Sequence, residues 1–144
     1  MLTSRNKRGL SVKVLADTGV WIAFFRPQKS EVQRRLADVL EQLILEDRVV
    51  LCGVVELELL QGVRAKERPG LEASLSALEF ISTTRADFQR AGELLGALRR
   101  RGVTIPTTDG LIAAQCLQRD LTLLENDKHF AEIELRHYAW REEA

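Results

Sequence analysis

Residues 12–22 read Val12-Lys13-Val14-Leu15-Ala16-Asp17-Thr18-Gly19-Val20-Trp21-Ile22. Val12 to Ala16 is a short, apolar, β-prone run that suits a buried strand. From Thr18 to Phe25 the pattern turns helical, and Arg26-Pro27 stops it. Asp17 therefore stands at a strand end between two apolar segments, where a carboxylate is costly to bury without a partner.

The same alternation continues outward. Further strands are expected at Val49–Cys52, Phe80–Thr83, Leu121–Leu124 and Arg136–Trp140. Between Ser30 and Glu46, Val32, Leu36, Val39, Leu40 and Leu43 recur with a helical period, and Ser30 is placed to cap that helix. Helices are also expected from Gly53 to about Lys66, broken by Pro69-Gly70, and at Leu71–Leu78. Others follow at Arg85–Arg101, ended by Gly102, at Thr107–Arg119, and briefly at Phe130–Glu134. Strands alternating with helices predict an α/β fold: three layers, a central parallel sheet with helices on both faces.

A chain of 144 residues, 45% hydrophobic, suits one domain whose core needs no disulfides. Cys52 and Cys116 lie in apolar surroundings outside any CxxC pattern, so both read as buried free thiols of a reducing compartment. Met1–Ser11 is polar and basic with no apolar stretch behind it, which gives no signal peptide. Residues 1–11 read as a loose tail and 12–144 as the domain. No apolar run is long enough to span a membrane, so a soluble, cytoplasmic protein is expected. Lys plus Arg and Asp plus Glu number 21 each, so bulk charge gives no sign of a nucleic-acid partner.

In an open α/β sheet, function gathers at the carboxyl ends of the strands. Asp17 closes the first strand, Glu58 lies early in the helix after the second, Asp109 opens the helix after Ile105-Pro106, and Asp127 follows Leu121–Leu124. Asp109 shares a helix face with Ala113 and Cys116, and Glu58 shares one with Val54 and Gly62. Each acid alone has a plainer reading as a cap, a turn former or an exposed helical residue, and Thr107 or Thr108 could cap the helix at Asp109. Together they would repel one another unless a cation neutralised them. Oxygen ligands without Cys or His point to Mg²⁺ or Mn²⁺. Glu56 is a rival to Glu58 on nearly the opposite face, and Glu125 a rival to Asp127.

These residues also resemble a family. Leu15-Ala16-Asp17-Thr18-Gly19-Val20-Trp21-Ile22, Glu58-Leu59-Leu60-Gln61-Gly62, Thr108-Asp109-Gly110-Leu111-Ile112-Ala113-Ala114 and Leu123-Leu124-Glu125-Asn126-Asp127-Lys128-His129-Phe130 are similar, in that order, to the four signatures of PIN-domain ribonucleases. Within that family the likeness is to VapC toxins of bacterial toxin–antitoxin pairs, and it runs from about Val12 to Trp140. Gly19 stands where relatives carry Ser, and Glu125 where many carry Thr. The resemblance implies a three-layer PIN-like fold and metal binding and catalysis by Asp17, Glu58, Asp109 and Asp127, supported by Thr18 and Asn126. It further implies an RNA substrate, a cognate antitoxin that covers the site, and a homodimer.

The implied chemistry is metal-assisted phosphodiester hydrolysis. Arg26 and Lys128, each close behind an acidic motif, are the best candidates for RNA contact. Arg64, Lys66 and Arg68 flank the end of the second-motif helix, while Arg99, Arg100 and Arg101 suit a solvated helix end. Exposed apolar residues of the helix Ser30–Glu46 would be natural antitoxin contacts. His129 reads more simply as a surface histidine than as part of a site, and His137 as structural. The alternatives are a PIN nuclease that processes RNA without being a toxin, and a catalytically inactive RNA- or protein-binding module. A phosphatase using Asp17 as nucleophile would want a second Asp where Gly19 stands.

Overall fold

The structure, a computed structural model, describes residues 12–141. The tail expected at residues 1–11 lies outside them. Four short strands, β1 (Val14–Ala16), β2 (Val49–Cys52), β3 (Glu79–Ile81) and β4 (Thr122–Leu124), form one parallel sheet in the order β3-β2-β1-β4. Val14 pairs with Val49 on one side and Thr122 on the other. The apolar residues of β1 are thereby buried completely, as a central parallel strand requires.

Six α-helices join the strands: α1 (Thr18–Phe25), α2 (Glu31–Leu45), α3 (Gly53–Gly62), α4 (Arg68–Ser76), α5 (Arg85–Arg100) and α6 (Thr107–Arg119). Parallel crossovers are right-handed, so the order β3-β2-β1-β4 puts the helices between β1, β2 and β3 (α1 to α4) on one face and those of the return to β4 (α5, α6) on the other, a three-layer α/β fold. After β3 the chain doubles back past β2 and β1 to reach β4. The switch point of the sheet therefore lies between β1 and β4, where the Asp17 N–H donates to the Leu124 carbonyl at 2.9 Å.

Local signals fix the helices that matter. Ser30 caps α2 through a reciprocal box with Gln33, and Leu36, Leu40 and Leu43 bury the helix's apolar face. Thr84 and Asp87 form the same box at the start of α5. Gly102, with φ +80°, ends that helix as a left-handed glycine. At Gly110 a Cβ would sit 2.6–2.8 Å from Leu95, so only glycine lets α6 approach α5 this closely.

Several boundaries differ from those the sequence predicts. The helix expected to run to Lys66 ends at Gly62. A 3₁₀ turn (Ala65–Glu67) follows, and α4 begins at Arg68 with Pro69 in its first turn. Proline needs no partner for its missing N–H there, so it starts a helix rather than breaking one. The strand expected at Arg136–Trp140 is reduced to a single parallel bridge between Leu123 and His137. The helix expected at Phe130–Glu134 is a 3₁₀ turn at Lys128–Glu132, and β3 starts one residue earlier than Phe80. Cys52 and Cys116 are buried free thiols, both pushed up in pKa by burial. Among the described residues no helix is long and apolar enough to cross a membrane.

Arg119, at the end of α6, grips the buried Asp87 with two bonds of 2.7 and 2.6 Å and also donates to the Ser82 carbonyl. The guanidinium holds the Asp87 carboxyl below its ordinary range. A depressed folded-state pKa contributes stability above the unfolded value near 4 and loses it as pH falls through the folded value. Asp87→Ala removes both the cap and the pair, and should cost roughly 3 kcal/mol at pH 7 in urea melts. The difference from wild type should shrink below about pH 4.

Candidate functional site

The carboxyl ends of β1 and β4 and the starts of α1, α3 and α6 meet around a cleft of about 250 Å³. Asp17, Thr18, Glu58, Asp109, Asn126 and Asp127 all line it. The four acids picked out in sequence thus line one cleft, although Asp17 and Asp127 are 110 positions apart in the chain.

Each acid arrives by a different route. Asp17 holds the N-cap position of α1, yet its carboxylate makes no capping bond and is only 6% exposed. Glu58 projects from the second turn of α3, and its Oε1 accepts the Thr18 hydroxyl at 2.6 Å. The Thr18 hydroxyl therefore steadies Glu58, while its backbone N–H favours the charged form of Asp17. Asp109 lies in the first turn of α6, whose N-cap is Pro106, so neither Thr107 nor Thr108 caps the helix. Asp127 does cap, accepting the His129 N–H at 2.9 Å at the head of the last 3₁₀ turn.

The electrostatics are unbalanced. Among the described residues no ion pair joins a Lys or Arg to these four carboxylates. Burial pushes the Asp17 pKa up to about 7, and the charges of Asp109, Asp127 and Glu58 push the same way against the Thr18 N–H. Asp109 is raised as well, mainly by burial, with His129 opposing. A buried carboxylate grouped with three others, and no lysine or arginine paired to them among the described residues, is a donor set whose chemistry fits a hard divalent ion.

The rivals fall elsewhere. Glu56 does not line the cleft. Glu125 is buried behind it, accepting the Asp127 N–H at 3.1 Å, with Arg141 3.5 Å away. Its carbonyl takes the Trp140 indole N–H at 2.8 Å. Asn126 accepts from Arg141 at 3.4 Å. Arg26 and Lys128 are exposed, and Arg26 lines a neighbouring groove rather than the cleft itself.

His129, weighed in sequence as near the cleft but read more simply as a surface histidine, lies against two of the acids. Its Nδ1 lies 3.0 Å from both Asp109 Oδ2 and Asp127 Oδ1. The available signal was its position two residues after Asp127: a capped turn directs that side chain back over its own cap.

A sequence profile of the PIN domain matches residues 14–135, the span that carries the sheet and all four acids. The chain belongs to the PIN domain family. Solved structures agree. FitAcB from Neisseria gonorrhoeae superposes with a TM-score of 0.74 at 26% identity, covering 88% of this chain and 97% of that one. VapBC2 from Rickettsia felis, bound to a DNA fragment from its promoter, gives 0.68 at 25% identity over 84% and 92%. A toxin–antitoxin complex from Klebsiella pneumoniae gives 0.72 at 18% identity over 90% and 99%, a likeness of fold alone.

The crowding of charge in this PIN domain has a measurable cost. A carboxyl whose folded-state pKa is raised loses stability as pH climbs from the unfolded value near 4, and the penalty is complete above about 7. In EDTA, Asp17→Asn should therefore be more stable than wild type at pH 8, by on the order of 3 kcal/mol, and the gap should narrow toward pH 5. Urea melts at both pH values measure it. A gap that does not change with pH would show that Asp17 carries no electrostatic strain.

Proposed function

We propose that this PIN domain is a divalent-metal-dependent endoribonuclease and the toxin of a toxin–antitoxin pair, acting in the cytoplasm. The observation that carries the reading is the convergence of Asp17, Glu58, Asp109 and Asp127 on one cleft, with no lysine or arginine paired to them among the described residues. These four would hold Mg²⁺ or Mn²⁺. When bound, the ion would supply an activated water and neutralise charge on the scissile phosphate.

The chain's own residues do the placing. Asp17 sets the floor from the rigid end of β1. Thr18 fixes the rotamer of Glu58 by its hydroxyl. Glu125 and Asn126 hold the segment that carries Asp127, the first through the Asp127 N–H and both through Arg141. Arg26 and Lys128, both solvent-facing, are the proposed contacts for the RNA backbone.

The antitoxin has a natural seat. An apolar groove of about 700 Å³, lined by Ile22, Phe25, Leu59, Val63 and Leu71, shares Glu58 with the acidic cleft. A partner segment lying in it would reach the carboxylates and block them. The groove belongs to α1, α3 and α4, whereas α2, suggested by sequence, offers only Val32 and Leu45 as exposed large apolar residues. The similarity to FitAcB and VapBC2 supports a partnered toxin, and the family resemblance supports a homodimer.

Purified protein incubated with total RNA should cleave in Mg²⁺ or Mn²⁺ and not in EDTA. Glu58→Gln should lower the rate by at least the roughly 10- to 100-fold that loss of a supporting contact costs at metal sites, while Glu56→Gln should leave it unchanged. Expression without an antitoxin should arrest bacterial growth, and Asp17→Asn should relieve the arrest. Metal-dependent cleavage without growth arrest would leave a PIN nuclease that is not a toxin. RNA left intact at millimolar metal would overturn the enzymatic reading.

A further inference from the structure

His129 is better placed than an outlying surface histidine has reason to be. Asp127 caps the 3₁₀ turn by accepting the His129 N–H, and the ring folds back so that Nδ1 lies 3.0 Å from the same carboxylate. Nδ1 is also 3.0 Å from Asp109 Oδ2, in the first turn of α6. The three donor atoms all lie within 4.8 Å of one another.

That spacing has a geometric meaning. Ligands about 2.1 Å from an ion, at adjacent corners of an octahedron, lie about 3.0 Å apart. Nδ1 keeps that separation from both carboxylate oxygens. A neutral imidazole bearing its proton on Nδ1 can bridge the two acids when no ion is present. With the proton on Nε2, the Nδ1 lone pair faces the same gap as the acids. The ring is about one-third exposed (37%), which leaves Nε2 to donate to water, the outer partner that a ligating histidine usually has.

We propose that His129 is a direct ligand of the divalent ion, bound through Nδ1 beside Asp109 and Asp127; this rests on the metal-dependent reading above. The centre is then a mixed nitrogen–oxygen site rather than an all-carboxylate one. Imidazole suits transition metals, and carboxylates suit Mg²⁺ and Mn²⁺ alike, so the added nitrogen biases the site toward Mn²⁺ over Mg²⁺.

The test is pulsed EPR on the full chain loaded with Mn²⁺, paired with calorimetric titration of Mn²⁺ and Mg²⁺. Wild type should show coupling of the bound Mn²⁺ to a directly ligating ¹⁴N nucleus. His129→Asn should abolish that coupling and weaken Mn²⁺ binding by about 10-fold or more, the least that loss of an outer partner costs, with a smaller loss for Mg²⁺. Circular dichroism and thermal melts confirm that the variant folds, and His137→Asn should keep the coupling. Bound Mn²⁺ without ¹⁴N coupling, or coupling that survives His129→Asn, would overturn the assignment while leaving the acidic site intact. Absence of Mn²⁺ binding to folded wild type would overturn the metal-dependent reading itself, and the assignment with it.

Discussion

Asp17 is a carboxylate driven into the end of a buried strand and faced by three more. Ala16 before it is fully buried and Asp17 itself is only 6% exposed, so the cleft it lines is where its carboxylate opens to solvent. Nothing cationic among the described side chains offsets the cluster, apart from what His129 can contribute when protonated. The energy of that arrangement sets what the rest of the fold must do: hold four acids together against repulsion while leaving the gap open. Such strain persists only where surrounding structure over-determines it, and here every acid is carried by a separately anchored element.

The anchoring is topological first. Reversal of strand order between β1 and β4 leaves a crevice at their carboxyl ends, and Asp17 and Asp127 emerge on its two sides. Helices then deliver the other two. The start of α6 is fixed by the close approach at Gly110, one residue after Asp109. Its far end is clamped by Arg119 on Asp87. The start of α3 follows directly from β2, which places Glu58 on the second turn, where Thr18 reaches it. Behind Asp127, Glu125, Trp140 and Arg141 make a packed backing, with the guanidinium 4.6 Å over the indole ring.

Much of this was legible in the sequence because it rests on local rules. The apolar runs at β1, β2 and β4, the Ser30 cap and the Gly102 stop each follow from a few adjacent residues, and the acids fell where an α/β sheet collects function. What was illegible depends on contacts across the chain. Pro69 reads as a breaker unless the helix start at Arg68 is known. Residues 136–140 look like a strand by alternation, but only His137 finds a partner, Leu123, in the sheet. Glu125 and Asp127 are two apart, and spacing alone could not divide them. The turn sends one toward Arg141 behind the cleft and the other into it. His129 reads as surface because its relation to Asp109 spans 20 residues and two elements.

The proposed function places a divalent-ion centre at the meeting point of these elements. Crystals of the protein soaked in Mn²⁺, with data collected at an energy where manganese scatters anomalously, locate the ion directly. An anomalous difference peak is expected in the cleft, within coordination distance of carboxylate oxygens from Asp17 and at least two of Glu58, Asp109 and Asp127. A cleft without a peak at full soaking concentration, or a peak bound only at surface acids elsewhere, would contradict the proposed centre.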